Sequence, residues 1–131
     1  MLFRSPATDD NVAFARNVIA DLARRGPVVS LSTGVAIDDH GVCAMTAYGA
    51  RDVPGSTPPS ENLHVQTAIV AHASAFVGTY GGFAYLAPFF GVPSTSYYGD
   101  PAGFAQSHLR MANSAFAAIG VADLLHVHSA H

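Results

Sequence analysis

Lysine is absent from this 131-residue chain. Its absence excludes a Walker A phosphate loop, whose lysine reaches the terminal phosphates, and any lysine Schiff-base chemistry. The cationic side chains are six scattered arginines, Arg4, Arg16, Arg24, Arg25, Arg51 and Arg110, and the net charge is −3. They form no basic stripe, so nucleic acid is not an expected partner. Cysteine is nearly absent as well. Cys43 alone can form no internal disulfide and offers no thiolate pair for zinc, which fits a reducing compartment. No apolar run approaches the roughly 18 residues needed to cross a bilayer as a helix, and the opening MLFRSPATDD turns polar within a few residues. The expected location is the cytoplasm, with no transmembrane segment and with peripheral membrane association left open.

What the chain does contain is apolar surface. Half of its residues are apolar and 11% are charged, well below the rough quarter typical of soluble domains. Large patches are therefore expected to meet a partner, either a second domain or another copy of the chain. The length suits one domain over 1–131 and is too short for two complete ones.

Thr8 followed by Asp9 and Asp10 reads as a helix cap with acids in the first turn, and Val12, Ala15, Ile19 and Leu22 recur at helical spacing. Gly26 and Pro27 end that helix. VVSLST, from Val28 to Thr33, is short, β-branched and suited to a buried parallel strand. From Gly34 to Pro59 no period is sustained, although a short strand near Ala50 to Val53 fits. Ser60 is the expected cap of a second helix, with Val65, Ile69, His72 and Ala73 along one face.

SAFVG then reads as a strand, Gly81 and Gly82 as a turn, FAYLAPFF as a short helix stopped by Gly91, and PSTSYY as another strand. Pro101 suits the first turn of a last long helix carrying Leu109, Ala112, Phe116 and Ile119. The apolar VADLLHV follows Gly120, and 121–131 is read as a tail that is open to disorder. Alternating strands and helices predict an α/β fold: a doubly wound, mostly parallel sheet with helices on both faces.

In such sheets ligands bind where strands end and helices begin. Thr79 to Phe83 is such a place, since glycines let an anion approach the backbone and a helix start offers unpaired N–H groups. Glycine pairs also serve plain tight packing. Asp38, Asp39 and His40 lie past the first strand and could hydrogen-bond a ribose or sugar hydroxyl, supply a general base, or simply form a polar turn. Arg51 is a candidate phosphate partner by charge. Tyr97, Tyr98, Gly99 and Asp100 could flank a nucleotide or serve as packing.

Other constellations carry less chemistry. His126, His128 and His131 lack a nearby cysteine or acid cluster and make a poor zinc site, while His64 and His72 lie two turns apart and do not chelate together. His108 reads as a surface residue. Ser30, Ser32 and Ser74 lie in no G-x-S-x-G elbow, which weakens a serine hydrolase reading.

The stretch HASAFVGTYGGFAYLAPFFGVPSTSYYG resembles the donor-domain segment of GT-B glycosyltransferases, in particular the heptosyltransferase-like group. That group's pattern is roughly A-D-x-x-x-G-x-D-S-G-P-x-H-L-A-x-x-x-G-x-P. Ala73, Gly78, Gly82, Leu86, Ala87, Gly91 and Pro93 match it without a gap, whereas Tyr80, Gly81, Phe83 and Tyr85 stand in place of its Asp, Ser, Pro and His.

The resemblance implies a Rossmann-like half of a GT-B fold that binds a nucleotide-sugar, with Thr79, Tyr80, Gly81, Gly82, Phe83, Asp39 and His40 as donor-site candidates. It implies no metal or other cofactor and names no catalytic residue, because in that family the base usually comes from the other domain. The chain then corresponds to a C-terminal domain or a truncated product, partnered by an N-terminal acceptor domain or by itself. A fragment of a non-hydrolysing sugar-nucleotide epimerase and a non-catalytic interaction domain are the alternatives.

Overall fold

A computed structural model describes residues 4–6, 8–31, 41–42, 46–53 and 57–131. The chain, expected as one domain, divides into two compact units, Met1–Gln66 and Thr67–His131.

In the first unit the Thr8 side chain caps α1 (Asp9–Arg25), accepting a hydrogen bond from the Asn11 N–H at 3.2 Å. Asp9 and Asp10 in the first turn and Arg24 and Arg25 in the last complement the helix dipole. Two positions one turn apart, Ala15 and Ile19, are buried. The helix packs against β2 (Val28–Ser30) and against a 3-10 turn at Thr46–Tyr48. Gly49 follows that turn with φ +96°, and a Cβ there would come within 3.2 Å of the Ala23 Cβ, so both conformation and space call for glycine.

The strand foreseen near Ala50 is β4 (Ala50–Asp52), paired in parallel with β2. Two-residue strands β1 (Arg4–Ser5) and β3 (Gly41–Val42) pair antiparallel.

Helix α2 (Pro59–Ala71) begins one residue before the expected cap, so Ser60 lies inside it. Proline at the first helical position explains the shift, since its missing N–H is one the helix would leave unpaired and its φ is already helical. The buried positions of α2 are Gln66 and Val70, while Val65 and Ile69 are half-buried and His72 is exposed. The expected face is thus displaced by one residue. Burial of Gln66 is made tolerable by its Nε2 donating to Asn62 Oδ1 at 2.9 Å.

The second unit continues with β5 (Phe76–Thr79), α3 (Gly82–Phe89), β6 (Ser94–Tyr98), α4 (Gln106–Ala118) and β7 (Leu125–Ser129). Its three strands form one parallel sheet in the order β5-β6-β7. α3 packs on all three strands and on α4, where Phe89 meets the buried ring of Phe116 edge to face at 5.1 Å. One sheet face, with Phe76, Gly78, Ser94, Ser96 and Leu125, is buried. The other carries half-buried Thr95 and Tyr97 beside exposed His126 and His128.

Both helices of the unit end in the same way. Gly91 (φ +73°) and Gly120 (φ +76°) take the left-handed conformation just past α3 and α4, and the N–H groups of Val92 and Val121 close back onto the carbonyls of Ala87 and Phe116.

Two expectations need correction here. Pro101 opens a separate 3-10 turn, Pro101–Gly103, capped by the Asp100 carboxylate on the Ala102 N–H at 2.8 Å, and α4 starts only at Gln106. The segment read as a tail, 121–131, supplies strand β7. The described strands form small sheets of two and three strands, which do not by themselves make a doubly wound sheet. The very short strands of the first unit give little ladder for a larger sheet. What stands is a mixed α/β chain with parallel sheets. Among the described residues no helix is long and apolar enough to cross a membrane.

Candidate functional site

The glycine turn lies where expected, at the C-terminal end of β5 and the start of α3. Thr79, half-buried, is the last residue of β5. The Tyr80 N–H donates to the Tyr97 carbonyl at 2.9 Å and carries the β5–β6 ladder one step further. Gly81 is the N-cap of α3, and the first intrahelical bond runs from the Tyr85 N–H to the Gly81 carbonyl at 3.2 Å. The N–H groups of Gly82, Phe83 and Ala84 precede that bond, so the helix itself gives them no acceptor. Gly81, lacking a side chain, provides no side-chain cap to this terminus.

The reason for glycine here differs from that at Gly91. Gly81 has φ 164°, extended backbone open to any residue, and a Cβ built at Gly81 or Gly82 would meet no described atom within 4 Å. Tight packing, the alternative reading of the pair, does not account for them. Their effect is to leave Gly82, at the start of α3, exposed.

Around the turn lies an aromatic cluster that sequence reasoning did not assemble. Tyr80 contacts Tyr85 edge to face at 5.3 Å and Phe104 at 5.2 Å, and Phe104 stacks on Tyr98 at 4.6 Å. The Tyr85 hydroxyl donates to the Tyr80 hydroxyl, which lies 3.5 Å from the Ala105 carbonyl and is oriented to donate to it. Burial above all, and then the hydrogen bond to Tyr80, pushes the Tyr85 phenol well above its ordinary range. Tyr85 is therefore a protonated donor at neutral pH and no base. The signal for the cluster was present in Tyr80 and Tyr85, which replace residues of the resembled pattern. Their partner Phe104 comes from beyond the next strand.

Charge is scarce around these groups. Asp100, Arg110 and Asp123 are the only charged side chains between residues 67 and 131, with histidine taken as neutral. Arg110 is exposed on α4, and Arg51 is exposed on β4 in the first unit. Asp38, Asp39 and His40 lie outside the described residues. The structure thus brings Thr79 to Phe83 together in one turn and adds Tyr85, Tyr98 and Phe104. His64, His72 and His108 are exposed, and among the described residues no three His, Cys, Asp or Glu side chains assemble as metal ligands.

Comparison with protein-family models, curated proteins and solved structures finds no significant match to the chain.

Proposed function

We propose that the unit spanning residues 67–131 is a nucleotide-sugar-binding module of a glycosyltransferase, a Rossmann-like half that holds its donor at the glycine turn. The observation that carries this reading is the open helix start: Gly81 and Gly82 leave space beside the N–H groups of Gly82 and Phe83, at the C-terminal end of a parallel strand. A diphosphate in that space would accept hydrogen bonds from backbone donors and meet the positive end of α3. Side-chain charge plays a small part, since Arg110 is the unit's one cation besides its histidines.

In transfer, those N–H groups would take up charge on the leaving diphosphate as the anomeric bond breaks, from donors already in place. In the resembled family the acceptor's base usually comes from the other domain, and Tyr85, which stays protonated, does not supply one here.

The test is calorimetry of the full chain with UDP-, ADP- and GDP-sugars. At least one is expected to bind, and Gly82→Val is expected to abolish binding while keeping the circular dichroism of the parent. Absence of heat with every donor, in a folded sample, refutes the reading. A non-catalytic interaction domain is the second reading, favoured by the exposure of Phe89, Phe90, Met111 and Ile119 in a unit so poor in charge.

A further inference from the structure

Strand β7 is the edge of the three-stranded sheet, and among the described residues it pairs only with β6. The ladder has a definite phase. The Ser94 N–H donates to the Leu124 carbonyl at 2.7 Å and the Ala130 N–H to the Tyr98 carbonyl at 2.9 Å, so the even-numbered residues of β7 direct their backbone toward β6. Leu125, Val127 and Ser129 consequently direct theirs outward. Edges of this kind are ordinarily guarded by lysine, proline or a bulge. The sequence LHVHS has neither residue, and the pairing with β6 is regular across all of it.

We infer that β7 pairs antiparallel with β7 of a second copy of the chain about a two-fold axis at Val127, and that the histidines this brings together bind a divalent transition metal such as zinc. The register follows from the phase. With Val127 opposite its own mate and Leu125 opposite Ser129 of the second copy, every outward N–H and C=O of the strand finds a partner in a hydrogen-bonded pair. His126 then falls opposite His128 of the second copy in the non-hydrogen-bonded positions, where Cα atoms approach to about 4.5 Å and side chains are closest.

His126 and His128 are both exposed, on the same sheet face, and His128 is steadied by the Tyr97 ring at 5.9 Å. Two such pairs, related by the two-fold, present four imidazoles on one face, a ligand set that suits tetrahedral zinc. One chain offers only half of this set.

Sedimentation of the full chain, freed of metal by chelator and then titrated with zinc chloride alone, tests the inference. The apparent mass is expected to double as one zinc is added per two chains and to return on chelation. His126→Gln/His128→Gln should keep the monomer mass in zinc, with unchanged circular dichroism because both side chains are exposed. Val127→Pro, which removes an outward N–H but keeps the histidines, should do the same. A mass that zinc leaves unchanged overturns the inference, as does a doubling that survives either variant.

Discussion

The hydroxyl of Tyr85 donates to the hydroxyl of Tyr80, binding the first turn of α3 to the residue that ends the β5 ladder. This link sets the shape of the candidate site from two sides. It fixes the ring of Tyr80 beside Phe104, and it engages the Tyr80 hydroxyl within the chain, which leaves backbone N–H groups as the principal donors at the turn.

The same link makes the protein sensitive to alkali. Burial and the Tyr80 contact favour the neutral Tyr85 phenol in the folded state, so the unfolded chain gives up that proton first, near the ordinary value of about 10. The contribution of Tyr85 is fully present below that pH and is lost as pH rises toward the higher folded value. Denaturant melts across this range should show stability falling above about pH 10, with a shallower fall in Tyr85→Phe. Equal slopes in the two proteins would count against this role for the half-buried Tyr85.

Glycine at 91 and glycine at 82 should respond differently to alanine. Gly91 holds a left-handed φ of +73°, and a side chain there costs about 1–2 kcal/mol even where space is open. Gly82 lies in the first turn of α3 with no described atom near its missing Cβ, so Gly82→Ala should leave stability within about 0.5 kcal/mol of the parent. Thermal melts of the two variants check the contrast. A loss at Gly82 as large as that at Gly91 would mean that the turn is glycine for structural reasons.

The α/β alternation, the Thr8 cap, the Gly91 stop and the position of the glycine turn could be read from sequence because each rests on contacts within a few residues. The expected cap at Ser60 failed to a stronger local rule, proline at the first helical position. Strand β7 was hidden by its histidines, which look like a polar tail until β6 supplies a partner. The aromatic cluster was out of reach for the same reason, since Tyr80 and Phe104 lie 24 positions apart in the chain and meet only through the fold.

Ser94 offers a test of packing. Its hydroxyl is fully buried and meets no hydrogen-bond partner among the described residues. An unsatisfied buried hydroxyl costs about 1–3 kcal/mol. Ser94→Ala should accordingly be neutral or stabilising by up to about 1 kcal/mol, after the small loss of packing. Urea unfolding measures this, and a clear destabilisation would show that the hydroxyl has a partner in solution.

A nucleotide-sugar is proposed to seat at the start of α3. Amide chemical shifts of isotopically labelled protein, followed during titration with UDP-, ADP- and GDP-sugars, test this seating most directly. Saturable shifts, largest at Gly81, Gly82 and Phe83, are expected for at least one donor. Shifts confined to other parts of the chain, or none at millimolar donor, would contradict it.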